Sequence, residues 1–82
     1  NPFNPITTLR YDLLENAYVR IVVYDVLGNV VSILVSKNEN LGPKSVQWNA
    51  TNNQGKPVSA GVYIYSIEAR GLINTKKMIL LR

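Results

Sequence analysis

Few side chains in this 82-residue chain could carry out chemistry. The chain has no histidine and no cysteine, and its carboxylates are Asp12, Glu15, Asp25, Glu39 and Glu68. The absence of these two residue types removes the commonest general base, the commonest metal ligand, thiolate metal sites and disulfides. A general acid/base pair needs two carboxylates held at a fixed separation in a pocket. Asp12 and Asp25 end adjacent predicted strands and could come close, although turn roles in solvent explain both. We expect no enzyme activity and no cofactor.

A second candidate site is the oxygen-rich stretch over residues 49–54. Its side chains could be imagined around a Ca²⁺ ion, but calcium sites use several carboxylates and this stretch has none. We interpret it as a hydrogen-bonded turn and expect no metal site.

The aromatic residues could form a platform for a sugar or a peptide. Trp48 alternates with Val46, which predicts that its ring fills the interior of a sheet structure. Tyrosine hydroxyls near strand corners often bond back to the backbone. The residues that we predict to be structural core are therefore Trp48, Tyr63 and Tyr65. Tyr18, next to a turn, is predicted to be the most exposed tyrosine.

The chain opens with Asn-Pro-Phe-Asn-Pro, directly ahead of an alternating strand pattern. Two prolines remove two backbone donors and fix φ, so this opening cannot lie inside a sheet ladder. We predict a stiff lead-in segment over residues 1–6, anchored on the fold by Phe3. Since the chain has no initiator methionine and no signal segment, we expect a module from the end of a longer protein.

The chain closes with two lysines, four apolar residues and an arginine. Alternation places Met78 and Leu80 on one face of this strand, and Lys77, Ile79 and Leu81 on the other. A strand that is apolar on both faces is typical of a central or closing strand. The alternative is a strand whose end or outer face meets a receptor, by edge addition or by groove docking.

Strands must position all of these residues, because the sequence alternates with period two almost throughout. The predicted strands cover residues 7–13, 19–24, 30–35, 44–49 and 62–70, a last strand from 73 or 74, and a short edge strand at Pro57-Val58. A polar loop is predicted over residues 36–43, and Gly28-Asn29 suits a tight hairpin. The chain is thus predicted to be one all-β domain over residues 1–82, an immunoglobulin-like antiparallel β-sandwich of about seven strands.

The net charge and the hydropathy of the chain bear on whether it binds nucleic acid or inserts into a membrane. The net charge is +4, but the basic residues are spread out and only Lys76 and Lys77 adjoin each other. We interpret them as solvated side chains and expect no nucleic-acid binding. The apolar content of 46% excludes a disordered chain, and the apolar run from Met78 to Leu81 is too short to span a bilayer. We expect no stable membrane insertion.

Several runs together resemble the C-terminal sorting domains of the bacterial type IX secretion system. They are residues 1–5 with 7–11, the runs Val-Val-Tyr-Asp-Val-Leu-Gly at 22–28 and Val-Gln-Trp-Asn at 46–49, residues 55–65, and the closing residues 76–81. The same pattern resembles the immunoglobulin-like domain of the flagellar hook-capping protein. The opening and the abrupt C-terminal end favour the sorting domain. Asn49-Ala50 stands where that family often has Asp-Gly, and Asn52-Asn53 where it often has an acidic residue.

The resemblance implies a non-catalytic signal that directs a fused N-terminal cargo domain through an outer-membrane translocon. Its implied partners are that translocon, shuttle proteins and a sortase-like peptidase that removes the domain. The implied location is the periplasm in transit, then the cell surface or the medium. We predict translocon recognition by Lys76, Lys77, Met78, Ile79, Leu80, Leu81 and Arg82. Two alternatives are a structural spacer or hook-cap-like assembly module, and a carbohydrate-binding module with exposed aromatic residues.

Overall fold

Every regular element that the computed structural model describes, over residues 6–81, is a β-strand. The strands are β1 (Thr7–Leu13), β2 (Ala17–Asp25), β3 (Val30–Glu39), β4 (Gly42–Trp48), β5 (Gly61–Ala69) and β6 (Leu72–Leu80). Phe3 and Arg82 lie outside the described residues, and so does most of the lead-in segment. The described part of the chain contains no helical segment with the length and apolar character of a membrane span.

The strands form two antiparallel sheets. One has two strands in the order β1-β4, and the other has four in the order β3-β2-β5-β6. β2 is central, and its Ile21 lies opposite Val35 of β3 and Ile67 of β5. Across the small sheet, Thr7 lies opposite Trp48 and Leu13 opposite Gly42. The predicted all-β antiparallel sandwich is confirmed.

The described residues form six strands, where the sequence predicted about seven. The missing strand is the one predicted at Pro57-Val58, where the structure has only an isolated bridge between Thr51 and Pro57. Proline has no N–H to donate to a ladder, so pairing stops at this single bridge.

The polar loop predicted over residues 36–43 was also wrong. β3 continues to Glu39 and β4 begins at Gly42. The ladder with β2 continues through Arg20 opposite Ser36 to Ala17 opposite Glu39. Tertiary pairing therefore overrides the weak strand propensity of this segment.

The core lies between the two sheets and follows the alternation of the strands. One cluster is built on Leu9, Leu13, Val19, Ile21 and Val35, and a second on Val23, Trp48, Ala50, Tyr63 and Leu80. On the opposite face of β2, Val22 is also fully buried. Burial on both faces is what the sequence predicted for this strand, because residues 19–24 carry apolar side chains on both sides.

Candidate functional site

β6 is an edge strand of the four-stranded sheet. It pairs with β5 in an uninterrupted antiparallel register from Gly61 opposite Leu80 to Ala69 opposite Leu72. Among residues 6–81, no strand pairs with its other side. The closing segment is therefore an edge strand: of the positions that its apolar residues indicated, central or closing, it takes the closing one, and its outer edge is left for a partner.

The predicted recognition segment divides between the core and the surface. Leu80 is 4% exposed and contributes to the core cluster of Trp48, and Met78 packs against it while half-buried. Ile79 is 65% exposed, and the side chains of Lys76, Lys77 and Leu81 are exposed as well. The segment thus offers a partner its lysines, Ile79 and Leu81, while Leu80 holds the fold together.

An open groove of about 580 Å³ separates β1 from the first half of β6. It arises because the two-stranded sheet does not cover the whole inner face of the four-stranded one. Ile67 and Leu72 supply apolar surface in the groove, and Leu14, which follows β1, adds to it. Its charged lining is mixed: Arg10 and Lys76 are basic, Asp12 is acidic, and Glu15 is paired with Arg70.

The opposite edge of the sheet, β3, is covered over residues 31–33. Asn53 donates its backbone N–H to the carbonyl of Val31 at 3.0 Å, and its side-chain Oδ1 accepts the N–H of Ile33 at 3.0 Å. The β2–β3 ladder also shifts register between Ile21 and Val22 and between Val23 and Tyr24. Bulges and a covering turn are two ways in which proteins block edge pairing. The described part of β6 has neither.

The oxygen-rich turn is organised by its own hydrogen bonds. Asn52 Oδ1 accepts the backbone N–H groups of Gln54 and Lys56, both at 3.0 Å. This is the side-chain-to-backbone bonding typical of asparagine in turns. Within residues 6–81, no group of three or more His, Cys, Asp or Glu could hold a metal ion.

Trp48 is 1% exposed and lies inside the sandwich. Its Nε1–H donates to the carbonyl of Thr51 at 2.9 Å, and its ring meets that of Tyr63 edge-on at a centroid distance of 5.2 Å. The hydroxyl of Tyr63 donates to the carbonyl of Ser59 at 2.6 Å, which ties the start of β5 to the preceding loop. Tyr63 is buried and Tyr65 is half-buried. A sugar therefore has no access to the ring of Trp48, and this residue cannot form part of a binding platform.

Tyr18 is the exposed tyrosine, with 52% of its surface accessible. Its hydroxyl lies 2.5 Å from Ser36 Oγ on the neighbouring strand. One exposed tyrosine that pairs across the sheet is a surface contact between strands and does not make an aromatic platform.

Asp12 and Asp25, the two carboxylates considered as a pair, lie in different parts of the structure. Asp12 precedes Leu13, which packs in the same core cluster as Val19. Asp25 follows the other end of β2, where Val23 packs in the core cluster of Trp48. The acid/base pair considered for Asp12 and Asp25 is thus not formed, because the two residues lie at opposite ends of the sandwich.

Two other carboxylates hold neighbouring strands and turns. Glu39 accepts the hydroxyl hydrogen of Tyr11 at 2.6 Å, and burial together with this bond raises the pKa of Tyr11. Glu15 pairs with Arg70 at 3.0 Å on the surface, where an ion pair contributes little to stability.

Asp25 closes the β2–β3 hairpin. Its Oδ1 accepts the backbone N–H groups of Leu27 and Asn29, both at 2.9 Å, and Gly28 takes a positive φ of 87° that lets the chain reverse. The hydrogen bond from the Asn29 backbone is the largest of the effects that lower the pKa of Asp25 below 3.8.

We expect Asp25→Asn to lower the thermal midpoint at pH 7, because an amide oxygen accepts these bonds less strongly than a carboxylate. Since the folded pKa lies below 3.8, the stabilisation is fully present above that pH and is lost as the pH falls through the folded value. Thermal unfolding followed by circular dichroism from pH 7 to pH 2 should show the gap between wild type and variant closing below pH 3.8.

Asp12→Asn is the matched control, since no residue among 6–81 donates a hydrogen bond to the side chain of Asp12, and its midpoint should follow that of wild type. An Asp25→Asn gap that stays constant down to pH 2 would show that the charge of the carboxylate contributes nothing.

Comparison with known proteins identifies the fold family. The chain superposes on the crystal structure of FlgD from P. aeruginosa with a TM-score of 0.72 and 20% sequence identity, over 93% of this chain and 60% of that one. At this identity the likeness shows a shared fold, and our chain spans less than two thirds of that protein's length. No curated protein matches the sequence significantly.

A family model gives the more specific assignment. The model described as the FlgD Ig-like domain matches residues 5–71, which include β1 to β5. The immunoglobulin-like fold and the likeness to the hook-capping protein that the sequence indicated are both confirmed. The match extends over most of the chain, and the protein belongs to the FlgD Ig-like domain family.

Proposed function

We propose that this domain is a non-catalytic structural module, an immunoglobulin-like spacer or assembly domain within a longer protein. The observation that carries the proposal is that the side chains best suited to chemistry hold the fold instead. Asp25 closes a hairpin, Glu39 bonds Tyr11, and Trp48 fills the core. Membership of the FlgD Ig-like domain family supports the same role. The partners of such a module are the domains fused to it and the subunits that they assemble with.

A second candidate is a type IX sorting signal, which the Asn-Pro-Phe-Asn-Pro opening and the closing residues 76–81 favour. In this role the domain would carry a fused N-terminal cargo through the periplasm to the outer-membrane translocon. Shuttle proteins and a sortase-like peptidase would then act on it, and the cargo would reach the cell surface or the medium. Within the predicted recognition segment, the exposed side chains that a translocon component would contact are Lys76, Lys77, Ile79 and Leu81.

A reporter fusion separates the two roles. We expect a periplasmic fluorescent protein that carries this domain at its C-terminus to stay in the periplasm of a host with a type IX system. We also expect the domain to unfold at the same temperature when a second domain follows it, because a spacer is indifferent to its position. Both fusions are assayed for location by fractionation and for folding by circular dichroism.

The control strain lacks the translocon. Appearance of the reporter on the surface or in the medium only when the translocon is present would overturn the structural proposal and establish the sorting role. A Trp48→Ala fusion, in which we expect the fold to be strongly destabilised, shows whether any export depends on the folded domain.

A further inference from the structure

The free edge of β6 has the length and regularity of a strand-binding surface. It offers nine residues in continuous register with β5. The β2–β3 ladder is interrupted by register shifts, and Asn53 covers β3. A regular edge strand presents a row of unpaired backbone donors and acceptors that another extended chain can bond. Among the edges of the four-stranded sheet, as far as residues 6–81 show it, β6 is thus the one that is regular and uncovered along its whole length.

The lysines of β6 disfavour pairing between two copies of the chain. Two β6 strands in full antiparallel overlap would place Leu72 opposite Leu80 and Lys76 directly opposite Lys76 of the second copy. Like charges directly opposite each other are destabilising, and β6 contains no acidic residue that could offset them. The same lysines would attract carboxylates, because opposite charges in that position are stabilising.

The groove next to β6 gives an added strand a place for its side chains. A strand paired with β6 would extend the sheet, and its inward side chains would lie in the groove between β6 and β1. There they would meet apolar surface from Ile67 and Leu72 and the charges of Arg10 and Lys76. Asp12 and Glu15 also line the groove, with Glu15 paired to Arg70, so the acidic side chains of the added strand must lie at the lysines of β6. On its outer face the added strand would lie beside Lys77 and Ile79, both exposed.

We propose that the β6 edge binds an extended acidic peptide segment of a partner protein by antiparallel strand addition. The segment carries adjacent carboxylates opposite Lys76 and Lys77, and apolar side chains toward the groove and Ile79. This interaction goes beyond the proposed structural role, and it requires neither that role nor the sorting role.

A labelled synthetic peptide tests the proposal on the whole chain. The probe is Thr-Val-Val-Glu-Glu-Thr-Val-Thr-Val, whose glutamates face the lysines in the full antiparallel register. Binding is measured by fluorescence anisotropy, and the control peptide has lysines in place of the glutamates. We expect the acidic peptide to bind at least roughly tenfold more tightly than the basic one, with a preference that falls as salt is added.

Charge reversal on the protein sharpens the test. Lys76→Glu/Lys77→Glu should bind the acidic peptide roughly tenfold more weakly and should now bind the basic peptide. Lys37→Glu/Lys56→Glu makes the same charge change at exposed positions outside β6 and should leave the preference for the acidic peptide in place. All four lysines are exposed, so both variants should fold, which circular dichroism checks.

Two further measurements distinguish strand addition from general charge attraction. An acidic peptide with N-methyl groups on alternate residues cannot form the ladder, and it should lose binding although its charge is unchanged. Hydrogen exchange should slow at amides of β6 when the unmodified peptide is bound. Equal binding of the methylated peptide, an equal loss in the Lys37/Lys56 variant, or no binding of any peptide at millimolar concentration would each overturn the proposal.

Discussion

Trp48→Ala is expected to lower the free energy of unfolding by about 3–5 kcal/mol, the usual cost of removing a large buried aromatic side chain. The ring is 1% exposed, meets Tyr63 edge-on, and donates its only N–H to the carbonyl of Thr51. The substitution removes all three interactions and leaves a cavity between the sheets. Urea denaturation followed by circular dichroism measures the loss, because the chain has a single tryptophan and tryptophan fluorescence is absent from the variant.

Two control variants locate the effect. Trp48→Phe retains an aromatic ring against Tyr63 but loses the hydrogen bond to Thr51, so it should cost less than the alanine variant. Leu14→Ala removes a side chain that is 90% exposed and should change stability by no more than about 0.5 kcal/mol. A Trp48→Ala loss near zero would mean that the ring lies at the surface, and a ligand platform would again be possible.

The second large effect is expected at the end of β6. Leu80→Ala should cost about 2–5 kcal/mol, because Leu80 is 4% exposed and completes the cluster around Trp48 and Tyr63. Ile79→Ala is the neighbouring control on the opposite face, and its side chain is 65% exposed, so its cost should stay within about 0.5 kcal/mol. If urea denaturation showed equal losses of stability for the two variants, Leu80 would not face the core and Ile79 the solvent as described.

Because Leu80 is buried and Ile79 is exposed, recognition by the last residues is better tested with surface substitutions than with a deletion. Deleting residues 80–82 would remove Leu80 from the core as well as any surface that a receptor reads. A cargo stranded by that deletion could have lost its fold, its signal or both. Substitutions at Lys76, Lys77 and Ile79 leave the core intact, so a change in export or binding can be assigned to the surface.

Local alternation accounts for what the sequence could predict of the fold. β1 has the predicted bounds, residues 7–13, because apolar and polar side chains alternate from residue 8 to residue 13. The same rule places Val19, Ile21 and Val23 of β2 toward the core. It fails over residues 36–43, where polar side chains gave no strand signal and the ladder with β2 determines the structure.

The position of β6 could not be predicted from its residues. An apolar run such as Met78 to Leu81 is typical of a buried central strand, but which strands become neighbours depends on the order of the whole sheet. Contacts between distant segments were also missed. The bond between Asn53 and the backbone of Ile33 joins residues 20 positions apart, and asparagine in a turn gives no signal for that partner. The pair considered for Asp12 and Asp25 was wrong because a short connection joins β1 to β2, so the end of β1 lies near the start of β2 and far from Asp25.

The place of Leu80 in the cluster of Trp48 has a consequence for synthesis. A nascent chain that has emerged only as far as β5 contains Trp48 and Tyr63, but it lacks β6, whose Leu80 packs against them. Until β6 has left the ribosome, this aromatic pair remains accessible to chaperones and proteases, so we expect the domain to reach its native state late and cooperatively, after translation of its last strand.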